Sequence, residues 1–259
     1  MTQSPASIRY LDAVRTTDAA RTYKQQSLAR IGIERGHAIL DVGCGPGDDV
    51  REIARLVGGG GRAVGVDCDY QMIAEAWRRL GPRVGANIEF RVCDAHQLPF
   101  ADGTFDGCRS DRAFQHFADT SLALREMIRV ARSGGRIVVS DPDWETLTLD
   151  SPDRALTRRI VQFVADTFVR HGWMGRQLPR LFRQQGLAAV EVDTAVVTLD
   201  NFEVADRLWG LTRNAERCRD AGFITAEEMA SWLGGLSAAD DSSAFFGAHV
   251  GFVVSGRRP

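Results

Sequence analysis

Apolar residues along this chain fall into short unbroken runs that alternate with longer runs at helical spacing, and glycine or aspartate punctuates nearly every boundary. Ile39, Leu40 and Val42 form a short buried strand, and Gly43, Gly45 and Gly47 follow it as a turn. Val50 to Val57 continues as a helix that Gly58 to Gly61 stops. Ala63 to Asp67 reads as a second strand, Tyr70 to Leu80 as a helix capped by Asp69, and Ile88 to Asp94 as a third strand. Phe105 to Arg109, a helix from Asp119 to Ala131, a turn at Arg132 to Arg136 and a strand at Ile137 to Ser140 extend the alternation. Strands separated by helices predict a parallel sheet covered on both faces.

From Ser151 the pattern turns helical, with helices over Asp153 to Arg170 and Gln177 to Gln185 before a strand at Ala189 to Thr198. Two more helices, Phe202 to Arg219 and Thr225 to Leu236, precede a last strand at Phe245 to Ser255. At the other end, Ile8 to Ile33 has no breaker until Gly32 and reads as one or two helices. No repeat or low-complexity linker interrupts the chain. The expected organisation is therefore one domain over 1–259: a helical lid at 1–35, a core at 36–145, and helical elements at 146–187 and 202–240.

With 259 residues and 44% hydrophobic content, the chain can bury a sizeable core. A net charge of −2 and a pI near 6.2 carry no basic excess, so neither nucleic acid nor a membrane surface is expected as partner. A small molecule is the default ligand, and a homodimer is compatible with this composition. The five cysteines are odd in number and lack C-x-x-C spacing, which speaks against a disulfide framework or zinc site. Met1 to Ile8 shows no signal pattern and no apolar run approaches the ~18 residues of a membrane span, so the expected location is the cytoplasm.

The chemistry centres on the glycine turn. A dinucleotide-binding loop wants a third glycine at G-x-G-x-x-G, where a pyrophosphate meets the helix N-terminus, and here that position is Asp48. A carboxylate beside a pyrophosphate is repulsive, which disfavours a nicotinamide-dependent oxidoreductase. Asp41 at the strand's end suits a cationic ligand such as the ammonium of an amino acid. The stretch Leu40-Asp-Val-Gly-Cys-Gly-Pro-Gly47 resembles motif I of the class I S-adenosylmethionine-dependent methyltransferases.

That resemblance implies a doubly wound α/β fold, a Rossmann-like sheet of seven mostly parallel strands with the last antiparallel. Adjacent parallel strands end side by side, so Asp67, about twenty residues past the turn, is placed to take the ribose hydroxyls of the cofactor. Asp69 can cap the next helix, leaving Asp67 free, and Met72 is a candidate cover for one adenine face. By resemblance Asp94 takes the adenine amino group and the Ala95 amide a ring nitrogen, with Gly43, Cys44, Gly45, Cys68 and Ser110 also beside the cofactor. Tyr10, Arg21, Tyr23 or Lys24 would reach the methionine moiety from the lid.

After the fourth strand the chain lacks the Asn/Asp-Pro-Pro-aromatic segment of enzymes that methylate nucleic-acid amines. Its Phe114-Gln115-His116 instead resembles small-molecule methyltransferases of the ubiquinone and menaquinone biosynthesis type. The implied activity is O-, N- or C-methylation of a metabolite, leaving S-adenosylhomocysteine, and a noncatalytic S-adenosylmethionine-binding protein is the main alternative. His116 is the candidate base, since an unperturbed imidazole titrates near neutrality, and Asp143 is the second candidate. Asp111, Asp141 and Asp143 lie near strand ends where related catechol enzymes hold magnesium, but the Asp-Asn pair of those enzymes is missing, so no metal is expected. Pro142 and Trp144 read as a rigid turn over the pocket, and Phe163, Phe168, Trp173 and Met174 as candidate pocket lining.

Overall fold

The computed structural model describes residues 18–81 and 87–259, with side chains described from Tyr23 onward. Tyr10 and the Arg21 side chain, both named for the lid, lie outside the described residues. A helix, α1 (Asp18–Ile31), leads into β1 (Ala38–Val42), four of whose five residues are buried. A strand covered on both faces needs this continuous apolar character. Helix α2 (Asp48–Val57) buries Val50, Ile53, Ala54 and Val57, one stripe at i, i+3, i+4 and i+7, and carries Asp48 and Asp49 in its first turn.

Strand β2 (Arg62–Asp67) and helix α3 (Tyr70–Leu80) follow, then β3 (Ile88–Val92), β4 (Phe105–Asp111), a 3-10 turn at Phe114–His116 and α4 (Thr120–Val130). Asp69 and Asp119 cap α3 and α4, accepting from the amides of Gln71 and Leu122 at 2.8 Å. The order continues with β5 (Ala131–Leu149), α5 (Arg154–Thr167), α6 (Met174–Gln184), β6 (Ala188–Leu199), α7 (Phe202–Trp209), α8 (Leu211–Asp220), α9 (Ala226–Asp241) and β7 (Gly247–Arg257). The strands form one seven-stranded sheet in the order β3-β2-β1-β4-β5-β7-β6, parallel except where β7 pairs antiparallel with β5 and β6. The seven-stranded doubly wound fold expected from the sequence is the one observed. Strand order reverses direction at β1 and β4, the switch point where such sheets bind ligands at their carboxyl ends.

Helices cover both faces. On one, Ile31 of α1 and Val50 and Ile53 of α2 pack with Ile39, Val138 and Val253 of the sheet. On the other, Leu124 and Met127 of α4 and Leu178 and Phe182 of α6 pack with Leu40, Val139 and Val254. A further cluster around Trp144, Ile160, Phe163, Leu208, Trp209 and Trp232 joins the later helices beyond the carboxyl end of β5. Among the described residues no helix is long and apolar enough to cross a membrane.

Three local expectations are corrected. Arg132 to Arg136 is not a turn between elements but the start of β5, with Gly134 at φ 75 where the ladder slips between the Phe105 and Gly107 pairings. Asp141 to Asp143 continues β5 instead of turning, with Pro142 opposite Gly251. Pro142 is tolerated because the β4 pairing has already stopped at Asp111, so no donor is owed on that side. The helix expected over Phe202 to Arg219 is divided at Gly210, whose φ of 63 ends α7 and begins α8.

Candidate active site

The glycine turn is held by its neighbours. The amides of Gly43 and Cys44 both donate to the Val66 carbonyl, at 2.8 and 2.9 Å, tying the end of β1 to the end of β2. Gly43 and Gly47 have φ of 75 and 77. A Cβ at Gly43 would lie 2.5 Å from the Ala113 methyl, and one at Gly47 2.5 Å from the Phe90 ring. Neither backbone angle nor space admits another residue at these two positions. The Cys44 side chain turns into the core against Gly65, which leaves only its backbone on the ligand side.

Asp67 closes the turn from the second strand. Its Oδ2 accepts from the Gly45 amide and its Oδ1 from the Asp69 amide, both at 2.9 Å. Because Asp69 caps α3 itself, Asp67 is not the helix cap. Burial raises its pKa, against the pull of those amides. Asp94, beyond β3, accepts from the backbone and the ring of His96, and its carboxyl is held below the ordinary range chiefly by the backbone bond. The other ring nitrogen of His96 accepts from the Asp119 amide at 3.1 Å, so the loop after β3 is anchored to the start of α4. Ala95 is buried next to it, Cys68 is exposed at the end of β2, and Met72 is fully buried in α3. The Ser110 hydroxyl donates to the Val42 carbonyl at 2.8 Å and so braces β4 against β1.

Beside the turn lies a buried ionic cluster that the sequence reading did not find. Arg109 of β4 is wholly buried, reaching Asp41 at 3.1 Å, Asp49 at 2.9 Å and Asp111 at 3.3 Å, and donating to the Ser27 hydroxyl at 3.0 Å. Lys24 of α1 grips Asp49 at 2.7 Å and stands 3.5 Å from Asp111, whose Oδ2 also accepts from the Tyr23 hydroxyl at 3.3 Å. Three carboxylates thus share two cations. Asp49, held by both, has its pKa well below the ordinary value despite burial. Asp41 goes the other way: burial, with Asp49 and Asp111 adding to it, pushes its carboxyl up to about 7 against the pull of Arg109. Asp111 keeps one buried oxygen, Oδ1, with no hydrogen-bond partner. Asp41 therefore meets Arg109 directly, and Asp111 is the carboxylate with spare capacity. Register contains the missed signal: an arginine in a buried strand pairs with Asp41 on the neighbouring strand.

The acceptor-side candidates separate. Asp141 is buried and accepts from the Phe114 and Gln115 amides at 3.1 and 3.4 Å, so it holds the 3-10 turn, and burial drives its pKa well up. Asp143 is buried in an ion pair with Arg176, one arm of which lies at 2.9 Å, and also takes the Glu145 amide at 3.2 Å. His116 ends the 3-10 turn and is exposed. Its pKa is lowered by desolvation and by the nearby Arg112 and His171. Of the residues expected to line the pocket, Phe163 and Met174 belong to core clusters, Phe168 packs on Trp144 with centroids 4.8 Å apart, and Trp173 is exposed beneath the Arg176 guanidinium. Among the described residues no group of three or more His, Cys, Asp or Glu side chains could hold a metal ion.

Comparison with known proteins gives the family of the chain that carries this arrangement. A methyltransferase domain family matches residues 33–186. The chain is 40% identical over 250 residues to an uncharacterized 37.1 kDa protein in transposon TN4556 of Streptomyces fradiae, covering 96% of this chain and 71% of that one. It is 38% identical over 132 residues to a ubiquinone/menaquinone biosynthesis C-methyltransferase of Cellvibrio japonicus, covering 49% of this chain and 53% of that one. In fold it resembles the geranyl diphosphate C-methyltransferase of Streptomyces coelicolor, with a TM-score of 0.57 at 17% identity over 93% of this chain and 78% of that one. The protein is thus a methyltransferase by its family, with the fold to match. It belongs to the class I S-adenosylmethionine-dependent methyltransferases.

Proposed function

We propose that the protein transfers the methyl group of S-adenosylmethionine to a small-molecule acceptor bound beside α1 and the carboxyl ends of β4 and β5. The observation that carries this reading is the joint placement of the Gly43 to Gly47 turn, Asp67 and Asp94 at the ends of β1, β2 and β3. Asp67 takes the ribose hydroxyls, Asp94 and the Ala95 amide take the adenine edge, and Met72 backs the adenosine from within α3. The Asp111 oxygen that has no hydrogen-bond partner suits the cationic methionine end.

The sulfonium of the cofactor supplies an already activated methyl. The protein's part is to align the acceptor and exclude water, which Tyr23 and Lys24 of α1 serve by closing over β4. Where the acceptor is a hydroxyl, His116 is the proton acceptor, because the 3-10 turn that carries it follows the carboxyl end of β4 and its lowered pKa favours the neutral ring. Asp143 is assigned to holding Arg176, since both its oxygens are engaged.

Incubation with methyl-labelled S-adenosylmethionine and a metabolite extract tests the activity. Label appearing in a discrete small molecule is the expected result. S-adenosylhomocysteine binding without any labelled product would instead identify a noncatalytic binder.

A further inference from the structure

Among the described residues, two of the buried polar atoms that lack a hydrogen-bond partner have no role in the assignments above and belong to residues lining one cavity. On one face of the sheet Asp41 pairs with Arg109, Asp111 with Ser140, and Ser140 with Val253, so a continuous floor runs from the glycine turn across β4 and β5 to β7. At its far end Tyr23, Arg112, Ser140, Pro142, His249 and Phe252 line a narrow cavity. Ser140 Oγ and His249 Nδ1 are buried there and have no hydrogen-bond partner. Each such atom has lost its water without gaining a partner, which disfavours leaving it unpaired. Two lining one cavity next to the proposed transfer site call for a polar ligand group.

The imidazole is fixed in place. It stacks on Trp144, 5.8 Å between centroids and 10° from parallel, and receives the Trp209 ring edge-on at 5.6 Å and 90°. The Trp144 indole is itself tied to the Gln115 side chain at 2.8 Å. Arg112, at φ 54 in the left-handed region, brings its charge to the same cavity. Burial first, and Arg112 second, push the His249 pKa down to about 4, so the ring is neutral near neutral pH.

We infer that this cavity receives a hydroxyl carried by the methyl acceptor, and that Ser140 and His249 are the residues that select for it. The inference rests on the methyltransferase reading above and names the acceptor's chemistry, a hydroxylated and otherwise apolar small molecule. A hydroxyl both donates and accepts, so it satisfies the imidazole in either tautomer, or the serine that lines the same cavity. The cavity volume is about 30 Å³, room for a small polar group but not for a whole acceptor. Only the hydroxyl tip enters, and the body of the acceptor lies outward, toward the cofactor turn. Pro142, Ala195 and Val197 add apolar lining to the same cavity. Sites built to bind a hydroxyl discriminate strongly against analogues lacking it, because their own polar groups are then left unpaired.

The test uses the full chain saturated with S-adenosylhomocysteine, phenol as the probe and toluene as the analogue with a methyl in place of the hydroxyl, titrated by NMR. Phenol is expected to bind at least about tenfold tighter than toluene. His249→Leu should abolish that preference, Ser140→Ala should reduce it, and His249→Asn, which keeps polar atoms at the site, should retain most of it. Equal binding of phenol and toluene to the unaltered chain overturns the inference, as does a preference that survives both His249→Leu and Ser140→Ala. Absence of phenol binding also overturns it, leaving the cavity to a single water. If His249→Leu does not fold, the phenol to toluene ratio of the unaltered chain and of Ser140→Ala decides. Calorimetric binding of S-adenosylhomocysteine separates the two levels: retained binding without a phenol preference removes the subsite alone, and no binding at all removes the function proposed above.

Discussion

The Gly45 amide donates to the Asp67 carboxylate across 2.9 Å, which locks the turn after β1 to the end of β2. One carboxylate thereby shapes the turn with backbone bonds and, in the function proposed above, takes the ribose with the lone pairs left over. Asp67→Ala is expected to weaken S-adenosylhomocysteine by more than about tenfold, since two charge-assisted bonds of about 1.5–3 kcal/mol each are removed. Calorimetry on the folded variant checks it. Unchanged affinity would mean that Asp67 serves the turn alone.

Gly43 is fixed by geometry on two counts, its φ of 75 and the 2.5 Å that would separate an added Cβ from the Ala113 methyl. Gly43→Ala should destabilise the fold by about 1–3 kcal/mol and weaken cofactor binding. Ala113→Gly in the same chain relieves the clash but not the backbone angle, so partial recovery in thermal unfolding is the expected outcome. Full recovery would show that the angle carries no strain.

The Asp41 carboxyl gives a pH signature. Its folded pKa of about 7 lies above the ordinary 3.8, so between these values the folded chain holds a proton that the unfolded chain has lost. Stability from this group is therefore lost as pH rises from about 4 to about 7, and changes no further above that. Relative to Asp41→Asn, which cannot titrate, the unaltered chain should lose on the order of a few kcal/mol across that window. Parallel curves in denaturant unfolding at pH 4, 5.5 and 7 would contradict the raised pKa.

His116→Asn is expected to leave cofactor affinity intact and slow methylation of a hydroxyl acceptor by roughly 10²-fold or more. Single-turnover kinetics with the acceptor identified by labelling measures it. Normal turnover would leave alignment as the catalytic device and favour an amine or a nucleophilic carbon as acceptor.

Much of this protein was legible in local sequence. The run from Ala38 to Val50 specified strand, turn and helix because glycines and apolar residues act on their own backbone, and the spacing from Gly43 to Asp67 and Asp94 follows from the repeat of a parallel βαβ unit. Local patterning also carried the later helices, apart from the break at Gly210 inside an otherwise helical stretch. What only the tertiary structure decided depends on which strands become neighbours. Arg109 meets Asp41, Asp49 and Asp111 because β4 lies beside β1 and below α2, and Asp143 is claimed by Arg176 from a helix thirty-three residues onward. His249, far along the chain on β7, comes to the floor begun by Gly43 only because β7 inserts between β5 and β6. Side-chain chemistry is written residue by residue, but the pairing of buried charges and unsatisfied polar atoms is set by strand order, which no local pattern encodes.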